Sequence, residues 1–168
     1  MLKYLFQDKA RNKGNPKFIF ILAFFRLVHL FAKDKKSFLW FCGIPLMATY
    51  RIFVEDFLCI EIRAATKVGQ GLKIEHGFAL VINDSTIIGD NVHLRHSTTI
   101  GCKMKKDGSQ GPSPVIGNNV EVGAHVVILG GIYIGDNSKI AIGSIVIDDV
   151  PPNSIVAGNP AKVIRQRP

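Results

Sequence analysis

Histidine is the side chain whose charge changes closest to neutral pH. Four of the five in this chain, His76, His93, His96 and His125, fall between positions 76 and 125. Such residues can act as general bases, as metal ligands or as bystanders. No Cys or Ser is placed beside them as an obvious nucleophile. The three cysteines, Cys42, Cys59 and Cys102, are odd in number and form neither a CxxC nor a Cys/His zinc pattern. They read as buried thiols of a reducing compartment.

What positions the histidines is a six-residue beat. Ile62, Val68, Ile74 and Leu80 are followed by Ile88, Leu94 and Ile100, then by Ile116, Val122, Ile128, Ile134, Ile140 and Val146. This period is neither helical nor that of a simple strand. It predicts an all-β solenoid, a parallel β-helix in which each hexad forms one side of a triangular coil and stacking buries an apolar column. The beat slips twice, by eight residues from Leu80 to Ile88 and by sixteen from Ile100 to Ile116. The second slip holds a polar, Gly/Pro-rich loop over 102–115, and loops extruded from rigid scaffolds often carry binding groups. With hexads counted in threes, His76 and His96 share one column of successive coils, which continues through Ala124 and Ile142. Zinc-dependent carbonic anhydrases of the gamma class use such a scaffold with two ligands five residues apart and a third far upstream. His93, His96 and His125 do not supply that pattern, so no metal is expected.

Residues 1–59 differ from the solenoid of 60–168. Between Met1 and Ser37 nine Lys or Arg face Asp8 and Asp34, giving +7 of the chain's +8. Two apolar runs, Phe18 to Phe25 and Phe38 to Tyr50, are shorter than the ~20 residues of a membrane span. Arg26 lies just after the first run with no cleavage motif beyond it, which argues against a signal peptide. Two or three helices are expected, one over Lys17 to Ala32, with a break near Gly43 and Pro45. They would cap the open end of the stack, with Phe20, Phe24, Leu27 and Phe31 at helical spacing for that role. Lys3, Lys9, Arg11, Lys13 and Lys17, beside aromatic residues, could also dock on anionic lipid. No nucleic-acid-binding module is recognisable.

The segment from Ile62 through His76-Gly, and the ending Gly143-Ser-Ile-Val-Ile-Asp-Asp-Val-Pro-Pro-Asn-Ser-Ile-Val-Ala-Gly158-Asn-Pro-Ala-Lys162-Val-Ile, resemble serine acetyltransferases of the hexapeptide-repeat acyltransferase superfamily. Glu61-Ile-Arg-Ala-Ala, His76-Gly-Phe-Ala-Leu-Val-Ile-Asn and Arg95-His-Ser-Thr-Thr-Ile-Gly look most like the O-acetyltransferases of exopolysaccharide assembly, the colanic-acid type in particular. The resemblance implies a left-handed β-helix, a homotrimer with sites between subunits, and acetyl-CoA as co-substrate. It places His76 as general base and Glu61 as the carboxylate that orients it. Gly101, Gly123, Ala124, Ala141, Ile142, Gly143 and Lys162 fall along the implied cofactor groove, although related enzymes have alanine where Ile142 stands. Glu75, Arg95, His96 and Ser113 are candidate acceptor contacts.

The acceptor follows from a departure. Serine acetyltransferases hold the amino acid with an Arg-His pair just before the hexad that resumes after the loop, where this chain has Pro112 and Ser113. An acceptor carboxylate wants a fixed, often bidentate cation, whereas a sugar hydroxyl does not. The expected function is therefore acetyl transfer from acetyl-CoA to a sugar hydroxyl in capsular, exopolysaccharide or O-antigen assembly. The acceptor would be a sugar or a lipid-linked oligosaccharide. The enzyme would be cytoplasmic, with contact at the inner face of the membrane through the basic region. Serine O-acetylation for cysteine synthesis and a non-catalytic β-helix scaffold are the alternatives.

Overall fold

The computed structural model describes residues 1–33 and 36–166. Three helices lead, α1 (Leu2–Leu5), α2 (Pro16–Ala32) and α3 (Phe38–Tyr50), with a 3-10 turn at Ala10–Asn12 and a π-helical continuation of α3 over Arg51–Phe57. The first coil is β1 (Ile60–Ile62), β2 (Lys67–Val68) and β3 (Lys73–Glu75); the second is β4 (Leu80–Ile82), β5 (Ile87–Ile88) and β6 (His93–Arg95). The third is β7 (Thr99–Gly101), β8 (Val115–Ile116) and β9 (Glu121–Val122), and the fourth β10 (Val127–Leu129), β11 (Tyr133–Ile134) and β12 (Lys139–Ile140). Then come β13 (Ile145–Val146), β14 (Ser154–Gly158) and β15 (Ala161–Gln166).

Every third strand pairs in parallel, so the coils make three faces: β1-β4-β7-β10-β13, β2-β5-β8-β11, and β3-β6-β9-β12-β14, with β15 antiparallel to β14. The aliphatic beat becomes buried columns. Ile62, Ile82, Ile100, Ile128 and Val146 stack on the first face, and Val68, Ile88, Ile116 and Ile134 on the second. The corner between second and third faces needs a left-handed residue in each coil, supplied by Gly71, Asn91, Asn119, Asn137 and Asn153. Asparagine tolerates that conformation, and the amides of Asn119, Asn137 and Asn153 bond one another along the edge.

The eight-residue slip falls earlier than the beat suggests. Ile62 pairs with Ile82 and Ile60 with Leu80, so the two extra residues lie before β4 in the turn around Gly77–Ala79. Ala79 there has a φ of 51° and Phe78 is exposed. Leu80 and Ile82 both point inward, and the period alone cannot choose between them. The register of His76 with His96 is unaffected, because Lys73–Glu75 pair residue for residue with His93–Arg95.

The helical region does cap the first coil, through hydrogen bonds as much as apolar contact. The coil's free edge would leave backbone groups without partners, which is costly when buried. Side chains replace the missing coil: Arg26 donates to Val68 O and Gly69 O at 2.6 Å each, Asn12 to Leu72 O at 2.8 Å and Tyr50 to Ile62 O at 3.0 Å. Asp8 accepts from Leu72 N at 2.8 Å and also binds Arg26, at 2.9 and 3.1 Å. His29 Nδ1 lies 2.7 Å from Ala64 O.

Four expectations are corrected. The stripe that α2 buries is Phe18, Ile21, Leu22, Phe25 and Val28, whereas Phe20 is 60% exposed. Apolar residues lie on both sides of α2, so spacing could not select the inner one. No break occurs at Gly43 or Pro45; α3 runs through both, with Gly43 pressed on Phe31 where a Cβ would not fit. The apolar helix therefore extends over Phe38–Phe57, 20 residues, long and apolar enough to cross a membrane by length and composition, unlike the shorter run read from the sequence. The cysteines are also not buried thiols: Cys42 and Cys59 are exposed and Cys102 is intermediate, all free. Cys42 lies on an outward face of α3 and Cys59 on the link into β1.

Candidate active site

The corner joining the third face to the first carries His76, His96 and His125 in successive coils. His76 follows β3, His96 follows β6 and His125 follows β9. The rings of His76 and His96 meet edge to face at 5.9 Å between centroids, and those of His96 and His125 at 5.1 Å. His76 and His125 have positive φ, 60° and 57°, which is uncommon for a side chain this large. His96 Nδ1 is buried without a hydrogen-bond partner. Among the described residues no three His, Cys, Asp or Glu side chains converge as a metal-ion cage.

Hollows lie on the two faces that meet at this corner, and neither is lined by His76, His96 or His125. On the third face one of about 380 Å³ is lined by His93, Arg95, Glu121, Gly123, Lys139, Ala141 and Ile142. Glu75 organises its edge: its carboxylate receives Lys73 at 2.5 Å and Arg95 at 3.2 Å, and His93 Nε2 is 3.1 Å away. The hydrogen bond from Lys73, with the charges of His93 and Lys73, pulls the Glu75 pKa down to about 2. His93 moves down because burial penalises its charge, opposed by the neighbouring Glu75. Lys139 pairs with Glu121 at 2.8 Å.

On the first face a hollow of about 510 Å³ takes in Glu61, Arg63, Asn83, Thr99, Gly101 and Gln110 of the extruded loop. Arg63 bridges Glu61 at 2.7 Å and Glu55 at 3.2 Å. The hydroxyl of Ser113 donates to Asn83 at 2.8 Å. Gly101 has space for a Cβ, the nearest atom being Leu129 Cδ2 at 3.6 Å. Gly123 has none: a Cβ would fall 2.7 Å from Ile142 N and 2.9 Å from its Cα, so stacking alone accounts for that glycine.

The structure thus brings His76 and His96 together, with Glu75 and Arg95 on the adjoining strands. Ala124 and Gly143 border the same corner, and Ile142 projects from it, 68% exposed. Glu61 is bound to Arg63, and among the described residues no hydrogen bond joins it to His76. Lys162 lines neither hollow and pairs with Asp148 at 3.2 Å. Sequence reasoning named His125 but left it outside the column, which it continued through Ala124. The corner takes a left-handed residue one place later, at Gly77, Ser97, His125 and Gly143, and that turns the His125 ring back onto His96. It also missed Lys73 and Arg63, and the place of His93 beside Glu75, which alternation along β3, β1 and β6 would have put outward beside the acidic candidates.

A triangular parallel β-helix with a polar corner between surface hollows defines a class of hexapeptide-repeat transferase. A family model described as bacterial transferase hexapeptide (six repeats) matches residues 113–148. The putative colanic acid biosynthesis acetyltransferase WcaB of Escherichia coli K12 is 36% identical over 163 residues, covering 95% of this chain and 98% of that one. A serine acetyltransferase of Helicobacter pylori is also 36% identical, over 159 residues, covering 92% and 88%. The soybean serine acetyltransferase apoenzyme superposes with a TM-score of 0.80 at 26% identity, covering 96% of this chain and 68% of that one. The chain belongs to the serine acetyltransferase-like branch of the hexapeptide-repeat acyltransferases, left-handed β-helices, and is an acetyl-CoA-dependent acyltransferase.

Proposed function

We infer that this enzyme transfers acetyl from acetyl-CoA to a hydroxyl of a neutral sugar in the assembly of a surface polysaccharide. The observation that carries the reading is charge. Each cation lining the two hollows already has a carboxylate: Arg63 has Glu55 and Glu61, Arg95 has Glu75, and Lys139 has Glu121. None is left over to hold an amino-acid carboxylate. Pro112 and Ser113 add no charge at the loop, where the hydroxyl of Ser113 is engaged by Asn83. Asparagine, glutamate and threonine side chains suit a polyol instead. The end-to-end match to the colanic acid relative supports the same reading.

In this mechanism a ring nitrogen of His76 accepts the proton of the sugar hydroxyl as its oxygen attacks the thioester carbonyl carbon. The tetrahedral intermediate collapses with loss of the CoA thiolate, and His76 returns the proton to the sulfur. Such general-base catalysis contributes ~10²- to 10⁴-fold. His96 packs against the base and limits its ring orientations. Gly101 lets an extended pantetheine approach the backbone. Glu61 would orient His76 in the assembled enzyme through the carboxylate oxygen that Arg63 does not hold. We place the working enzyme in the cytoplasm as a homotrimer, with the hollows at subunit boundaries.

Thiol release from acetyl-CoA, measured with L-serine and with a panel of neutral glycans, tests the acceptor. Turnover with a glycan and none with serine is expected; robust serine turnover would overturn the reading. His76→Ala should lower the rate by ~10²-fold or more, and activity within a few-fold of wild type would remove the base assignment.

A further inference from the structure

We propose that the outer surface of the helical cap is a docking site for an anionic lipid bilayer, on which the enzyme lies without spanning it. The groove between α1 and α2 is lined by Leu5, Phe6, Phe20, Ala23, Phe24 and Leu27. It shares Phe6 with a second hollow whose rim carries Lys9 and Lys13. Phe24 then meets Tyr50 at 5.3 Å, which joins this surface to α3. There Phe38 is 79% exposed, and Leu39, Phe41 and Ile44 are exposed as well. A helix apolar all round belongs in an apolar medium, and within one chain α3 has protein on part of its circumference only.

The orientation follows from three anchors. Tyr50 donates to Ile62 O, Val54 is wholly buried and Glu55 pairs with Arg63. The C-terminal part of the Phe38–Phe57 helix is therefore fixed to the first coil, while its N-terminal part packs on α2, and the helix cannot pass through a bilayer without leaving both. The charge selects the occupant. Lys3, Lys9, Lys13 and Lys33 are exposed on this cap, whereas Asp8, the acidic residue among the described residues of 1–37, is buried against Arg26. Lysines rimming an apolar patch suit anionic headgroups above acyl chains.

The test uses the full chain with vesicles of phosphatidylcholine, with and without phosphatidylglycerol, read by co-flotation and by Trp40, the single tryptophan, which lies on α3. No acceptor is needed, so the outcome is separate from that of the acceptor assay. Wild type should float with the anionic vesicles, its Trp40 emission should move to shorter wavelength, and added salt should weaken both. Lys9→Gln with Lys13→Gln should weaken binding about 25-fold, about fivefold per lysine at ~1 kcal/mol each. Phe6→Ser with Phe20→Ser should weaken it further, with the thermal midpoint unchanged in both pairs. The proposal is overturned by no flotation at low salt, by binding that neither pair weakens, or by a Trp40 shift that follows protein concentration without lipid, which would mean that a second copy covers this face.

Discussion

Replacing Arg26 by leucine should detach the cap from the solenoid. Arg26 and Asp8 are 1% and 2% exposed, so the pair has almost no access to water. The guanidinium holds both carboxylate oxygens and two carbonyls of the first coil. Arg26→Leu fits the apolar surroundings but leaves the Asp8 carboxylate with Leu72 N–H and strands the carbonyls of Val68 and Gly69. Removing one partner of a buried pair costs about 3–5 kcal/mol, and each stranded acceptor about 1–3 kcal/mol; these overlap, so about 4 kcal/mol is expected. That is a large share of a typical stability of about 5–15 kcal/mol. Urea unfolding followed by Trp40 fluorescence for the cap and by circular dichroism for the strands is the assay. Repeat stacks unfold from weakened ends, so the Trp40 transition should move to lower urea and separate from the strand transition. Asp8→Asn added to Arg26→Leu keeps the acceptor for Leu72 N–H without the buried charge, and should recover about 1–3 kcal/mol. Coincident transitions with a loss below about 1 kcal/mol, or a double variant as costly as the two singles summed, would refute the replacement-coil argument.

Gly101→Ala adds a Cβ where the chain has room for it. If pantetheine runs past that backbone, KM for acetyl-CoA should rise about tenfold, about 1.4 kcal/mol of lost contact, at unchanged thermal midpoint; an unchanged KM would take Gly101 out of the groove. Gly123→Ala should instead lower the midpoint, because its Cβ would meet the backbone of the next coil. Burial lowers the His29 pKa from 6.5 in the unfolded chain, so the folded state binds fewer protons and its stability is full above that value and declines as pH falls through it. Melting at pH 7.5 and pH 5.5 should show the decline, and His29→Asn, which can still donate to Ala64 O, should reduce it. Glu75 raises the His93 pKa against burial, so Glu75→Gln should shift the His93 ring-proton titration to lower pH; a shift upward would exclude the contact.

The solenoid was legible because each coil repeats an inward aliphatic position, and the columns through Ile62, Val68 and Ile74 need only the period to be recognised. Ambiguity entered where two answers shared one chemistry. Leu80 and Ile82 both face inward, which displaced the eight-residue slip by part of a coil without disturbing His76 and His96. In α2 apolar residues surround the helix, so the stripe of Phe20 and Phe24 looked as fit for burial as that of Ile21 and Phe25. The candidate base could be picked out as a residue, but not the neutralised state of its surroundings. Glu75 against Lys73 and Arg95, and Glu61 against Arg63, depend on which side chains meet outside the coils, a property of strand register and corner geometry.

That neutrality bears on how a sugar would be held. With each cation in the hollows engaged by a carboxylate, recognition of a neutral acceptor falls to hydroxyl hydrogen bonds, worth only about 0.5–1.5 kcal/mol net each. A free sugar would therefore bind weakly. An acceptor carried on a lipid changes the arithmetic, because an enzyme resting on the same bilayer meets it at a raised effective concentration and needs less intrinsic affinity. On the proposal that the cap docks on lipid and the acceptor is lipid-linked, the lysine-rimmed apolar cap and the charge-balanced hollows would serve one end, the first bringing the chain to the surface where the acceptor is displayed and the second avoiding tight retention of the product. Detergent-solubilised lipid-linked glycan should consequently show a higher KM than the same glycan in anionic vesicles, and the difference should vanish in the Lys9→Gln, Lys13→Gln variant. Equal KM values in both presentations would separate docking from acceptor capture and leave the two surfaces unrelated.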